Sequence, residues 1–422
     1  MNIEDIYKVF LKCNKVCTDT RKLEKGDLFF ALKGDKFNGN KFAHQALQAG
    51  AIAAVIDEEQ YKGPNTIHVT DTLNTLQQLA SYHRKELNTP IIALTGSNGK
   101  TTTKELINAV LSQKYKTTAT VGNLNNHIGV PLTLLSMDHR TEIGIVEMGA
   151  NHLKEIAFLT SITQPDYGFI TNFGKAHLEG FGGIEGVIQG KSELFIHLIS
   201  NNKTIFYNAD DRIQQEKLEG YPNKYGFSEH TIADIQITNK KTTPYVTVSY
   251  AETDIHTNLI GNYNFSNIAV AITIGLYFEI DLNSIKKGVE AYVPSNNRSQ
   301  IINKNGKKII LDAYNANPTS MKAAIENFAQ QKGKKILILG DMFELGKDAA
   351  KEHQIISDLC STMGFEIVHL VGKNFYNTKN NFIKHETYED LAKDLDVKNE
   401  QSLNILIKGS RGMALERTLE LL

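Results

Sequence analysis

The stretch Ile91-Ile92-Ala93-Leu94-Thr95-Gly96-Ser97-Asn98-Gly99-Lys100-Thr101-Thr102-Thr103 constrains the fold more than any other. Five residues suited to a buried strand run through a glycine-bearing turn and straight into a segment that opens a helix. A strand that is apolar along its length is covered on both faces, the condition of a parallel sheet in an α/β protein. Glycines let backbone N–H groups approach phosphate oxygens, the helix start adds positive potential, Lys100 brings a charge, and the Thr101 hydroxyl can reach Mg²⁺. The spacing is G-x-x-G-K-T, with Leu94 where the longer phosphate-loop pattern has its first glycine. A chance Gly-Lys-Thr turn is the competing reading. The strand before it and the helix after it favour a nucleoside-triphosphate site built from Gly96, Ser97, Asn98, Gly99, Lys100, Thr101 and Thr102.

Similar short β-rich runs recur at Ile143 to Glu147, Tyr167 to Thr171, Thr204 to Asn208, Ile309 to Asp312, Lys335 to Leu339, Ile367 to Val371 and Ile405 to Lys408. Separated by helix-length segments, they describe parallel α/β sheets, two rather than one. Between Thr242 and Leu259 the alternation in Tyr245-Val246-Thr247-Val248-Ser249-Tyr250 predicts exposed antiparallel strands inserted near the end of the central region. Asn88-Thr89-Pro90 marks a joint, because the proline disfavours continuing the preceding helix, and the polar stretch Val293 to Ser299 reads as a linker. The 422 residues thus divide into 1–88, 89–296 and 297–422, as roughly 150 residues per domain would suggest. There is no internal repeat and no low-complexity tract.

With a formal net charge of -1 the chain has no global field to hold nucleic acid or an anionic membrane. No stretch approaches 18 consecutive apolar residues, and the N-terminal MNIEDIYKVFLKCNK mixes acids and lysines with its apolar residues, unlike a signal peptide. The cytoplasm is the expected location, without membrane insertion. Cys13, Cys17 and Cys360 lack two-pair metal spacing and read as reduced packing residues.

A cation that accompanies a triphosphate needs a carboxylate, and Glu147 ends a buried strand at the edge where open α/β sheets bind ligands. Taken alone, it would more often be a helix-capping or solvated acid; the phosphate loop reverses that preference. The strand Tyr167 to Thr171 leads into Asn172-Phe173-Gly174-Lys175-Ala176-His177-Leu178-Glu179 at the same edge. His177 is a ligand candidate there, although a lone histidine is more often a packed or surface residue.

Thr95 to Thr102 resembles the ATP loop of the Mur ligases, shortened spacing included, and the resemblance covers nearly the whole chain. Gly122-Asn123-Leu124-Asn125-Asn126-His127-Ile128-Gly129-Val130-Pro131-Leu132-Thr133 is similar to the segment lining their substrate side. It implies substrate contacts for Asn125 and Asn126 and none for His127, which stands where many relatives have an acid. Thr18-Asp19-Thr20-Arg21 with Gly26 to Gly34 is similar to the family's uridine-nucleotide-binding N-terminal domain, implying Thr20, Arg21, Lys33 and Gly34 as contacts. Asp312-Ala313-Tyr314-Asn315-Ala316-Asn317-Pro318 and Lys408-Gly409-Ser410-Arg411-Gly412-Met413 resemble the members that add D-alanyl-D-alanine. The Asp-Asn-Pro-Arg motif of tripeptide-forming members is absent.

The resemblance implies a small α/β N-terminal UDP-binding domain, a central P-loop ATPase-like domain with a mostly parallel sheet, and a C-terminal Rossmann-like α/β domain. It also implies an ATP- and Mg²⁺-dependent ligase, monomeric, that joins D-alanyl-D-alanine to UDP-N-acetylmuramoyl-tripeptide through an acyl phosphate. Lys100 would meet the β- and γ-phosphates, Thr101 and Glu147 the first Mg²⁺, and His177 the second. Lys191, in Gln189-Gly190-Lys191-Ser192-Glu193, would otherwise pass for an exposed helix lysine; the family lysine it matches is carbamylated and ligates the second Mg²⁺. Asn267 is implied on the adenine side, where Tyr263 replaces a frequent histidine, and Arg298 and Asp312 at phosphates and ribose. Tyr314, Asn315, Asn317, Asp341 and Lys408 are implied in positioning substrates, with a turn role for Asp341 weighed equally. The alternatives are a tripeptide-forming relative, a folylpolyglutamate synthase, or a nucleotide-binding module without catalysis. The Tyr314-to-Asn317 stretch argues against the first two, and the full set Lys100, Thr101, Glu147, His177 and Lys191 against the third.

Overall fold

The computed structural model describes residues 1–397 and 402–422. Its centre is a seven-stranded sheet whose neighbouring strands all pair in parallel. Ile91–Thr95 lies inside it, between Tyr167–Ile170 and Ile143–Glu147. Successive residues of this strand point to opposite faces. Ile91 and Ala93 join Val146, Ile170 and Ile205 against helices Thr72–Leu87, Gly129–Leu135 and Ile184–Ser200. Ile92 and Leu94 join Ile145, Phe169 and Phe206 against Lys100–Leu111 and Phe265–Tyr277. Two apolar faces on one strand explain the uninterrupted run in its sequence.

The C-terminal sheet has six strands, parallel except where Gln300–Lys304 pairs antiparallel with Lys307–Asp312. A third sheet, of four parallel strands, occupies the N-terminal region: Val16–Cys17, Leu28–Phe30, Ala53–Ile56 and Thr66–His68. The expectation of two parallel sheets is corrected to three, because strands of two to four residues leave too short a pattern to stand out. The antiparallel insertion is present as Thr238–Lys241, Thr247–Tyr250 and Thr253–His256. It is less exposed than expected, since Val246, Val248 and Ile255 are buried in the core shared with helices Phe265–Tyr277 and Leu282–Ala291.

Helix Thr72–Leu87 ends at Asn88, which takes a left-handed conformation, and the chain enters Ile91–Thr95 after Pro90. From this helix Arg84 crosses to Asp166 at 2.7 Å and donates to the Thr163 carbonyl at 3.0 Å; Asp166 also accepts from the Ile91 backbone and from Lys203. The segment between Ala291 and Gln300 forms no helix or strand, and Asn296, Asn297 and Ser299 there have positive φ. No described helix is long and apolar enough to cross a membrane.

Candidate active site

Three loops leave the same edge of the central sheet. Gly96 opens the first with φ +143°, and a Cβ there would lie 2.0 Å from Thr171 Oγ1. Gly99 ends it with φ +81°, where a Cβ would lie 2.6 Å from Asn267 Oδ1. Both positions therefore exclude a side chain through conformation and through space. The loop is stitched to the segment after Tyr167–Ile170: Thr171 Oγ1 donates to the Asn98 carbonyl at 2.6 Å, Asn98 N to Asn172 Oδ1 at 3.1 Å, and Ser97 Oγ to the Gly174 carbonyl at 2.8 Å. Lys100 Nζ donates to the Gly96 carbonyl at 2.7 Å. Burial holds its pKa below the ordinary lysine value, Glu147 opposes that shift, and Arg298 adds to it.

Glu147 is 1% exposed; one carboxylate oxygen accepts from Asn125 Nδ2 at 2.8 Å, and the other is buried with no hydrogen-bond partner. A buried polar oxygen without a partner costs about 1–3 kcal/mol, and more when charged, unless a cation or water meets it. Among the described residues no three His, Cys, Asp or Glu side chains cluster as a metal site. A Mg²⁺ bound with a triphosphate requires only one or two carboxylates, the phosphates and water supplying the rest, so Glu147 beside Thr101 fits it.

Lys191, expected to be exposed were it an ordinary helix lysine, is 1% exposed. Its Nζ donates to the Ala150 carbonyl at 3.0 Å and sits 5.0 Å from the Phe181 ring centre. Burial, reinforced by the charge of Lys100, drives its pKa well below the usual value, against the smaller pull of Glu155 and Glu193. This is a lysine held toward the neutral amine.

The C-terminal domain supplies the facing wall. Asp312 accepts from Lys408 Nζ at 2.6 Å and from Ser299 N at 3.0 Å. Lys408 also donates to the Asn315 carbonyl at 3.3 Å. The Arg298 guanidinium lies 3.6 Å from the centre of the Tyr314 ring, a cation–π arrangement. Asn317 caps helix Pro318–Ala329 and reaches Asn98 of the phosphate loop at 2.7 Å. On the central side, Asn267 accepts from Thr103 Oγ1 and donates to Asn264.

These walls enclose a cavity of about 560 Å³. Ser97, Asn98, Gly99, Lys100, Thr101, Thr102, Asn125, Asn126, Glu147, His177, Asn267, Arg298, Asp312, Tyr314, Asn315, Asn317 and Lys408 all line it. Gly96 and Lys191 lie behind the surface. Thr20, Arg21, Lys33 and Gly34 are not brought to it: Arg21 pairs with Asp19 at 2.8 Å, and Lys33 with the buried Asp57 at 3.1 Å, on the N-terminal domain. His127, given no role from the sequence, does line the cavity, as do Glu155, Phe158, Tyr263, Phe343 and Glu344. Glu344 lies four residues beyond the end of the strand Lys335–Gly340, whereas Glu147 is the last residue of its own strand, so the signal that pointed to Glu147 does not reach it.

Asp341, for which the sequence weighs a substrate role and a turn role equally, lies apart from this wall. It is 3% exposed and absent from the cavity wall. Its oxygens accept from the Asn374 and Phe375 backbone N–H groups at 2.9 Å each and from Asn374 Nδ2 at 3.0 Å. The carboxylate is engaged at the start of helix Lys373–Tyr376, which favours the turn role. Asp341→Ala is expected to cost roughly 2 kcal/mol of stability while leaving nucleotide affinity unchanged. Denaturant unfolding and nucleotide titration check both parts, and weakened nucleotide binding with normal stability would return Asp341 to the site.

Three family models divide the chain between them: Mur ligase family, catalytic domain, at residues 12–84; Mur ligase middle domain at 94–275; and Mur ligase, glutamate ligase domain, at 297–421. The UDP-N-acetylmuramoyl-tripeptide--D-alanyl-D-alanine ligase of Bacillus subtilis is 38% identical, covering 96% of this chain and 92% of its own; that of Escherichia coli is 34% identical, covering 96% and 93%. Among solved structures, MurF from Acinetobacter baumannii superposes with a TM-score of 0.88 at 30% identity, covering 99% and 98% of the two chains. MurF ligase from Thermotoga maritima in complex with ADP superposes with a TM-score of 0.85 at 26% identity, covering 98% and 97%. With its three domains matched in order and relatives aligned over nearly their full length, the chain belongs to the Mur ligase family.

Proposed function

We propose that the protein is an ATP-dependent ligase that joins D-alanyl-D-alanine to UDP-N-acetylmuramoyl-tripeptide, giving UDP-N-acetylmuramoyl-pentapeptide, ADP and phosphate. The observation that carries this reading is the single cavity in which the phosphate loop faces the Tyr314-to-Asn317 wall. Relatives named for this reaction support it over nearly the whole chain. A tripeptide-forming or folylpolyglutamate-forming enzyme is less supported, since the solved examples share the fold at only 18% and 15% identity.

In this reading a terminal carboxylate oxygen of the tripeptide attacks the γ-phosphorus, the bond to the ADP oxygen breaks, and the amine of the dipeptide displaces phosphate from the acyl carbon, losing a proton. The obstacle is bringing a carboxylate to a triphosphate, two anions in one cavity. Lys100 places an ammonium in the phosphate loop, and the unpaired backbone N–H groups at the start of Lys100–Leu111 would face the phosphates. Arg298, fixed on Tyr314, and the Asp312–Lys408 pair would bind nucleotide from the opposite side. Thr101 and Glu147 would hold one Mg²⁺, and His177 with a carbamylated Lys191 a second; when bound, these ions withdraw charge from the triphosphate. The buried neutral amine of Lys191 suits addition of CO₂ at Nζ with release of a proton. Thr20, Arg21, Lys33 and Gly34 would hold the uridine nucleotide at a distance from the chemistry.

A monomer acting in the cytoplasm, where such nucleotides are found, belongs to the same proposal. Purified protein given ATP, Mg²⁺, UDP-N-acetylmuramoyl-tripeptide and D-alanyl-D-alanine is expected to release phosphate and form the pentapeptide only when all are present. Product mass and phosphate, with each substrate omitted in turn, are the readouts. Ligation of a single amino acid to a dipeptide precursor, or phosphate release independent of D-alanyl-D-alanine, would overturn the assignment.

A further inference from the structure

His177 sits on the central domain immediately before the short helix Leu178–Phe181, and its Nδ1 is hydrogen-bonded to a carboxylate oxygen of Glu344, which comes from the C-terminal domain. A carboxylate has no hydrogen to give, so Nδ1 carries the proton of the bond, and in the neutral ring Nε2 is left with the free lone pair. The bond is held from both sides. Glu344 takes φ +61° and His177 φ +53°, left-handed conformations that cost non-glycine residues about 1 kcal/mol or more and persist where surroundings enforce them. The Glu344 carbonyl accepts from Glu179 N at 3.2 Å, and Phe343 N donates to Ser410 Oγ at 2.9 Å. The loop bearing Glu344 is thereby clamped between the central domain and its own sheet edge.

We infer that Glu344 is a positioning residue: delivered from the C-terminal domain, it fixes the ring and tautomer of His177, so that His177 can hold a divalent cation only when the two domains are docked. The inference rests on the reading above in which His177 faces Mg²⁺. A carboxylate behind a metal-binding histidine is a recurrent arrangement because it sets which nitrogen is free and raises its basicity. Here the two partners are 167 residues apart in the chain and on different domains, so docking and metal competence become one event.

Docking itself does not depend on this bond. The same central-domain loop also reaches across through Lys175, whose Nζ pairs with Glu352 at 2.6 Å and whose backbone N donates to Thr319 Oγ1 at 2.9 Å, while Asn98 meets Asn317. Glu352 therefore provides a control that touches docking and not the histidine.

The test is Mn²⁺ affinity in the presence of ADP, read from the free-ion paramagnetic resonance signal, for the full chain and for Glu344→Ala, Glu344→Gln, Glu352→Ala and His177→Ala. Glu344→Ala should weaken Mn²⁺ binding by about tenfold or more. Glu344→Gln should lose less, since its amide oxygen still accepts the Nδ1 proton, and Glu352→Ala, which loosens docking but leaves the carboxylate behind His177, should lose less than Glu344→Ala. Unchanged affinity in Glu344→Ala with a loss in His177→Ala would overturn the positioning role. An equal loss in Glu352→Ala would also overturn it, showing docking alone to be the cause. If His177→Ala leaves Mn²⁺ binding unaltered, the underlying assignment of His177 fails and the inference with it. The ligase assay is independent of all these outcomes.

Discussion

Replacing Lys100 with Met is expected to lower kcat with ATP by roughly a thousandfold, about 4 kcal/mol of transition-state stabilisation. The ammonium is the cationic side chain carried by the phosphate loop itself, and charge on the γ-phosphoryl oxygens shifts as its bond to ADP breaks. Backbone donors and the hydroxyl of Thr101 remain in the variant, so nucleotide binding should weaken far less than turnover. The fold should not suffer. Lys100 donates only to loop carbonyls, and burial already disfavours its charged form. Phosphate release under saturating substrates, with a thermal melt alongside, decides the matter. A loss of less than tenfold, or a collapse of the melting temperature, would remove Lys100 from the chemistry.

Lys191→Met should separate activity from stability in the opposite directions. Turnover is expected to fall at least about a hundredfold, as for loss of a metal-site group, because methionine accepts no CO₂. Stability in bicarbonate-free buffer should rise, because an almost wholly buried amine that has one carbonyl partner and is costly to protonate is exchanged for an apolar chain of similar length. The sign follows from the direction of the pKa shift. The folded-state value lies below the unfolded lysine value, so between the two the unfolded chain binds a proton that the folded chain sheds, and the parent loses stability as pH falls through that interval. The variant has no such dependence. Its advantage should therefore be widest at the acid end of the interval and vanish above the unfolded lysine value. Melting curves across pH test the stability claim. A carbamate resonance in protein equilibrated with carbon-13 bicarbonate, present in the parent and missing in the variant, tests the modification.

The parts of this molecule that were legible in the sequence are those whose signal is local. Ile91 to Gly99 shows its buried strand and its turn in nine consecutive residues, and Glu147 shows itself by ending a buried strand. Lys191 could have been found without any resemblance. Val187, Leu194, Phe195 and Leu198 mark the buried stripe of helix Ile184–Ser200, and Lys191 falls on it at helical spacing. A charge on an apolar stripe should draw attention. Asp341 was ambiguous because its acceptors serve a helix start more than thirty residues later, Asn374 and Phe375. Glu344 was not found because its meaning depends on the docking of two domains, which no periodicity encodes.

Helix Thr72–Leu87 has a consequence for how such chains could exchange parts. It follows the N-terminal strands in sequence, and His83 bonds Tyr7 of the first helix at 3.2 Å. Yet Leu76, Leu79 and Ala80 share one core with Val130, Leu134 and the strand residues Ile91 and Ala93, and Arg84 neutralises Asp166. The helix is common property of two modules. A hybrid cut at Asn88 would import a foreign helix that must refill the groove beside Gly129–Leu135 and replace the bonds Arg84 makes to Asp166 and the Thr163 carbonyl; one cut before Thr72 would have to rebuild the seat of Ile3–Phe10 instead. Grafting a new uridine-binding module therefore means recombining an interface, and the permissive crossover point is set by which side of this one helix the donor already matches.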